Sequence, residues 1–348
     1  MQLETLELVR IIVLGATAFV VAILLTPILT HFLYKYRFSK QIKSEKITPV
    51  FNKYHKHKAG TPTMGGILIW GTAILLLVLF YFLAILFPES NLSKLNFLDR
   101  GETYLPIAAL IIAALFGMVD DIFGVLKIGP RGGGLKMRDR MILYTIVALL
   151  GAFWFYFKLD WTNLSIPFLG EFNIGIWYIP FFIFVIVATA FSTNETDGLD
   201  GLSGGVLMVA YSSFGIFAFL QGDYHLTGFI AVVMGALLAY LWFNIPPARF
   251  YMGDTGAMSL GVTLGVIAML TDKSLLLPFV GFILVAESLS VILQIFSKKI
   301  RGKKIFRSTP IHHHFEALGW PESKVVMRFW IISAIMAGFG IIIGIVGY

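Results

Sequence analysis

Apolar residues in this chain come in long unbroken runs instead of alternating with polar ones, and residues 67–87, ILIWGTAILLLVLFYFLAILF, carry no charge at all. A helix rises about 1.5 Å per residue, so a run of that length covers the ~30 Å hydrocarbon core of a bilayer. Similar runs recur near 11–34, 104–119, 141–157, 174–191, 203–220, 226–243, 256–271, 275–297 and 329–347. The pattern predicts an all-α integral membrane protein with about ten transmembrane helices, a single polytopic domain over residues 1–348. Glu4 and Glu7 precede the first run, unlike the basic start of a cleaved signal, so the first helix is expected to be retained. Long polar connectors fall at 35–62 and 298–326, and the GPRGGG stretch at 129–134 predicts a mobile loop.

Composition agrees: 57% of the 348 residues are hydrophobic, 14% are charged, and the mean hydropathy is +0.83. Such a chain is solvated by lipid. The absence of cysteine excludes disulfides and thiolate metal sites. A formal charge of +7 would suit a nucleic-acid binder, but the placement of the cations gives a simpler cause. With ten spans, the odd-numbered loops hold every lysine and arginine except Arg10, Lys94, Arg100, Lys158 and Lys273. Cations mark the cytoplasmic side, which puts both termini outside the cytoplasm and makes the bilayer, not nucleic acid, the partner.

The compact polar motifs follow the same division. HKAGTPTMGG (57–66), Asp120-Asp121, TNETDGLDGL (193–202), NIPPARFYMGDTG (244–256) and PIHHHFEALGW (310–320) all fall on the cytoplasmic loops, so the active site is expected on the cytoplasmic face. Asp120 and Asp121 end a helix at the negative pole of its dipole, where a capping role is disfavoured and cation binding or proton sharing is the better use. Asp197 and Asp200 could cap the next helix through its dipole; Asn194 in the same turn, with Gly198 and Gly201 beside it, points instead to a ligand-facing surface. Asp254 could be an ordinary N-cap, yet Asn244 and Tyr251 precede it in a loop suited to stack and hydrogen-bond a planar base. His312, His313 and His314 are consecutive and lack zinc spacing; beside Arg307 they suit phosphate. Lys58 near Thr63 offers a point charge for phosphate or simply marks the cytoplasmic side. Glu287, within an apolar helix, should face the protein interior or a cavity, paired there or lining a lipid groove. Carboxylates from several loops, with cations beside them, fit magnesium-assisted phosphoryl transfer between a soluble donor and a lipid acceptor. A transporter would place such groups near the midplane.

These motifs resemble those of the phospho-N-acetylmuramoyl-pentapeptide transferases, within the polyprenyl-phosphate N-acetylhexosamine-1-phosphate transferase superfamily. AGTPTMGG (59–66), ESLSVILQ (287–294) and IFRSTPIHHHFEALGW (305–320) are the specific ones; Asp120-Asp121, TDGLDGL and FYMGDTG are shared more widely. The resemblance implies a homodimer in the bacterial cytoplasmic membrane. It would transfer phospho-N-acetylmuramoyl-pentapeptide from UDP-N-acetylmuramoyl-pentapeptide to undecaprenyl phosphate, giving lipid I and UMP. It also implies that Asp254 binds Mg2+ and that Asp120, with Asp121 beside it, is the base for the lipid phosphate. Lys58, Thr63, Asn194, Asp197, Asp200, Asn244 and Tyr251 would line the nucleotide pocket, and His312, His313 and His314 would sit by the pyrophosphate or sugar. Direct attack and a covalent aspartyl route both remain open. A sister transferase using UDP-N-acetylglucosamine is the nearest alternative, and the PIHHHFEALGW loop argues against it. The chain departs from the usual pattern at Phe191–Asp197, which replaces NAVNLTD, at Gly124, where lysine is usual, and at Tyr251, where phenylalanine is.

Overall fold

The computed structural model describes residues 2–39, 58, 60–99, 101–130 and 133–348. His57 and Ala59 of the first motif, and Arg131 and Gly132 of the expected mobile loop, lie outside the described residues. The helices are α1 (Gln2–Lys35), α2 (Gly66–Leu86), α3 (Tyr104–Val125), α4 (Met137–Phe153), α5 (Tyr178–Thr196), α6 (Leu202–Gln221), α7 (Tyr224–Asn244), α8 (Gly253–Leu270), α9 (Leu277–Val280), α10 (Phe282–Arg301), α11 (Ile311–Ala317) and α12 (Glu322–Val346). Among the described residues nine helices are long and apolar enough to cross a membrane, or ten if the bent pair formed by residues 274–280 and α10, meeting at 86°, counts as one span. The expected segment at 275–297 is that bent pair. One element departs from the all-helical expectation: a two-stranded antiparallel hairpin, β1 (Asn163–Ile166) on β2 (Gly170–Asn173), fills part of the 158–173 connection. Its Leu164 and Ile166 alternate with Asn163 and Ser165, the period of a strand with two unlike faces.

Burial is unequal. In the apolar window of α8, 94% of residues are buried, against 17% in α1. Helix α8 packs against α2, α3 and α5, while α1 lies on α7. Lipid tails are as apolar as leucine, so helices associate in a membrane by close packing, which small residues permit. Gly117 of α3 lies against the backbone of Asp254 and Thr255, and Gly261 and Gly265 of α8 meet Ala190 and Thr189 of α5. A β-carbon at any of these glycines would overlap its neighbour. The start of α8, with Asp254, is therefore held by backbone-level contacts. Buried hydroxyls bond back into their own helices, as Ser259 does to the Thr255 carbonyl at 2.7 Å and Thr189 to the Val185 carbonyl at 3.0 Å.

The chain direction alternates from helix to helix. Asp120 comes late in α3, Asn194 ends α5, Asp200 precedes α6, Asn244 ends α7, Asp254 opens α8 and Glu322 opens α12. All six consequently lie at the same end of the bundle.

Candidate active site

Two of the buried carboxylates at that end belong to one cluster. Asp120 and Asp254, both nearly inaccessible, face the same guanidinium: Arg140 Nε is 2.5 Å from Asp120 Oδ2, and its Nη1 is 3.1 Å from Asp254 Oδ1. Arg140 Nη1 also donates to Asn194 Oδ1 at 3.0 Å and Nη2 to Asp254 Oδ2 at 3.2 Å, while Asn194 Nδ2 donates to Asp254 Oδ1 at 2.7 Å. The second oxygen of Asp120 accepts from the Leu135 amide at 2.6 Å. Four elements, α3, α4, α5 and α8, thus contribute to one charge-compensated knot. A planar fork reaching two carboxylates and an amide is a use of arginine that lysine cannot reproduce.

Asp121 points elsewhere. Its Oδ2 accepts from the Thr255 amide in the first turn of α8 at 2.9 Å, and its Oδ1 lies 3.3 Å from the Thr63 hydroxyl that donates to it. A carboxylate on the amides of a helix start is favoured by the dipole, so Asp121 anchors the helix that carries Asp254. Gly253 makes room for this contact: its φ is +74°, and a β-carbon would overlap Asp121 and Thr63. The two adjacent aspartates divide the work, one in the knot and one holding the frame.

A second cluster lies nearby in the chain's turns. Lys58 Nζ bridges Asp200 Oδ1 at 2.6 Å and Glu322 Oε1 at 2.5 Å; Asp200 Oδ2 accepts from the Ala248 amide, and Glu322 Oε1 accepts from the Asp200 amide at 2.7 Å. Asp197 Oδ1 accepts from the Ser203 hydroxyl at 2.7 Å. Asn244, expected to line a pocket, is buried with its oxygen on the Gly201 amide and its Nδ2 on the Phe250 carbonyl, each at 2.9 Å; it clasps two turns. Tyr251 is half-buried with its hydroxyl bonded to Thr61, and burial pushes its phenol pKa up. Its backbone zips onto the first motif, Tyr251 N to Pro62 O and Gly65 N to Tyr251 O.

The histidine triplet splits three ways. His312 is fully buried, its Nδ1 3.0 Å from Glu287 Oε2, and its Nε2 edge lies against Gly198. Burial works against a charged imidazole there, and Glu287 outweighs it, so the His312 pKa rises above its ordinary value. His313 Nδ1 is 2.7 Å from Glu316 Oε2, and its ring centroid is 4.1 Å from that of His312. His314 Nδ1 accepts from the Arg307 amide at 3.1 Å, on the outer side of α11. The turn between α5 and α6 joins all three groups: Asn194 in the knot, Gly198 against His312, and Asp200 on Lys58.

Sequence reasoning passed over Arg140 and Glu322, the two charges that close the clusters, and left Glu287 without a role. Arg140 is one of five cations between residues 127 and 140, and only the chain's path shows which of them meets a carboxylate. As for magnesium, among the described residues no group of three His, Asp or Glu side chains has the geometry to hold a metal ion. The oxygen donors that do share one cation, Asp120, Asp254 and the Asn194 amide, fit a hard ion that keeps waters and takes its other ligands from substrate phosphates. The guanidinium stands in for the positive charge that donor set calls for.

Residues 104–272 match the family described as Glycosyl transferase family 4, and residues 58–69 match phospho-N-acetylmuramoyl-pentapeptide-transferase signature 1. The phospho-N-acetylmuramoyl-pentapeptide-transferase of Clostridium novyi (strain NT) is 38% identical over 93% of this chain and 93% of its own length. That of Anoxybacillus flavithermus is 35% identical over 94% and 95%, and that of Chloroflexus aggregans 34% identical over 98% and 91%. Likeness at this level along nearly the whole chain, together with the signature that contains Lys58 and Thr63, means that the chain belongs to the phospho-N-acetylmuramoyl-pentapeptide-transferase family.

Proposed function

We propose that this membrane protein, acting as one polytopic domain, transfers phospho-N-acetylmuramoyl-pentapeptide from its UDP donor to undecaprenyl phosphate, yielding lipid I and UMP for peptidoglycan synthesis. The observation that carries the reading is the Asp120–Arg140–Asp254–Asn194 knot, assembled at one end of the bundle in a chain of this family. The lysine and arginine distribution supports a cytoplasmic position for that end, with both termini outside and the protein in the bacterial inner membrane. The resemblance adds a homodimer.

In the transfer, an oxygen of the lipid phosphate attacks the donor's β-phosphorus, the bond to the α-phosphate breaks, and UMP leaves. Mg2+ bound at Asp254, with Asp120 and Asn194 adjacent, would supply charge neutralisation on the phosphates. Asp120 is placed to accept any proton still on the lipid phosphate. Asp121, through the Thr255 amide and Thr63, keeps α8 and so Asp254 in position. Lys58, held by Asp200 and Glu322, presents a cation for the nucleotide diphosphate, Asp197 and Tyr251 flank it, and Asn244 fixes the turns on which they sit. His313 and His314 offer imidazoles toward the pyrophosphate or sugar, and His312 fixes their helix against Glu287. Either route, direct attack or an aspartyl intermediate, needs an Asp120 oxygen freed from Arg140 or from the Leu135 amide.

Magnesium-dependent UMP release by the purified protein, with undecaprenyl phosphate and either UDP-N-acetylmuramoyl-pentapeptide or UDP-N-acetylglucosamine, tests the reading. Turnover confined to the pentapeptide donor is expected. Turnover of the other donor alone would move the chain to a sister specificity, and no UMP with either would overturn the transferase.

A further inference from the structure

Two buried carboxylates that share one site are stabilised by a cation or a shared proton between them. When both are ionised such a pair repels, the more strongly because a buried site has a low dielectric. Asp120 and Asp254 have that cation in Arg140, whose fork spans the gap with Nε on one and Nη1 and Nη2 on the other. A magnesium ion bound to the same oxygens would sit ~2.0–2.1 Å from them and leave no space for a guanidinium. We infer that Arg140 is a displaceable internal counter-ion: the guanidinium and the divalent cation occupy the Asp120–Asp254 gap alternately. This inference rests on the magnesium reading given above.

The local structure permits the exchange. Arg140 lies in the first turn of α4, its amide bonded to the Lys136 carbonyl at 3.1 Å, so the side chain can leave by rotation about its own stem without unwinding the helix. Its side chain keeps 18% of its surface exposed, whereas Asp120 keeps none, which gives the guanidinium a way out. The segment before α4 grips the same carboxylate: Leu135 donates its amide to Asp120 Oδ1, and Gly134, at φ +85°, lies so close to that oxygen that a β-carbon would be 2.9 Å from it. Gly133 and Gly134, both at positive φ, form the hinge of this grip. Residues 133–140 therefore hold Asp120 twice, once by backbone and once by side chain, and metal entry should loosen both.

Mn2+ binding measured by electron paramagnetic resonance on the detergent-purified full chain, without substrates, separates the possibilities. R140Q removes the competing charge and is expected to bind Mn2+ about tenfold more tightly than the wild type, the change that corresponds to ~1.4 kcal/mol. R140K keeps a charge but loses the fork, so its affinity should fall between the two. Hydrogen exchange at residues 133–136 should speed up in the wild type when Mn2+ is added. Wild-type binding with R140Q equal or weaker, and R140K no tighter than wild type, would make Arg140 a fixed ligand-side anchor and overturn the inference. No Mn2+ binding by any of the three proteins would overturn the magnesium reading and this inference with it.

Discussion

At one end of the helical bundle carboxylates are buried and set against cations, whereas at the other they are half-buried or exposed. At the Asp254 end, Asp120, Asp254 and Asp200 each lie 2.5–3.1 Å from a lysine or arginine nitrogen. At the other end, Asp160, Glu171, Asp223 and Asp272 line a cavity of about 410 Å³, and burial lifts the pKa of both Asp223 and Asp272. Lys273, beside Asp272, lies 3.3 Å from the Tyr348 ring centroid, and burial lowers its pKa to about 8. One end sets its carboxylates against cations; at the other, burial raises the pKa of Asp223 and Asp272. Pre-organised, compensated charge is what a phosphoryl-transfer site needs, because its dipoles must not reorganise as the reaction proceeds.

The sharpest way to break the contrast is to remove charge at the paired end. Asp254→Asn should cut UMP release by about 10²–10³-fold, the size seen when one pre-organised electrostatic group is lost. The same variant leaves Arg140 with Asp120 and the Asn194 oxygen, so its thermal unfolding should shift far less than its turnover. If turnover is kept, the knot is a structural device and the active site lies elsewhere.

Lys58→Met comes next. It leaves Asp200 and Glu322 facing each other without their shared cation, and removing one partner of a buried pair costs ~3–5 kcal/mol before allowance for the partial exposure of these groups. A discounted loss of about 2 kcal/mol in unfolding free energy is expected, and Glu322→Gln in the same chain should restore part of it. Failure of that rescue would show that Lys58 is worth nothing as a bridge. Gly198→Ala follows: its β-carbon would overlap the His312 ring, and overpacking of a buried site costs about 1–3 kcal/mol. Unfolding in detergent measures it, with normal stability counting against the tight His312 packing described above.

Much of this was legible in the chain. The apolar runs located the nine helices among the described residues that are long enough to cross a membrane, while the run at 275–297 proved to be a bent pair; in lipid a helix must satisfy its backbone internally and its length is set by the bilayer. The hairpin at Asn163–Asn173 escaped notice, since it lies in a polar connector where four-residue alternation is a weak signal. The carboxylates stood out for the same reason the spans did: a charge among apolar helices is conspicuous. Their partners did not. Arg140 is one of several cations in its connector, Glu322 looks like an ordinary helix-start acid, and the pairing of each depends on contacts 20 to 264 residues apart. Asn244 and Asp121 were legible as polar but not as clasps, because a side chain that ties backbone turns together and one that bonds a ligand read alike in sequence.

The gentlest test uses one substitution at both ends. Asp223 is half-buried, and burial followed by the Glu102 charge raises its folded pKa above the ordinary 3.8. A raised carboxylate adds stability that is fully present below the unfolded value and is lost as pH rises through the folded one. At neutral pH the ionised Asp223 is therefore a cost that Asp223→Asn removes. The variant should unfold at a slightly higher temperature than the wild type at pH 7, by less than about 1 kcal/mol given solvent screening, and the gap should close as the pH falls toward 4. Asp200→Asn, which takes a charge away from Lys58, should do the reverse and lower the unfolding temperature at pH 7. Opposite signs for the same chemical change would tie the contrast between the two ends to charge pairing; equal signs would mean that the pairs at the Asp254 end contribute no more than isolated carboxylates do.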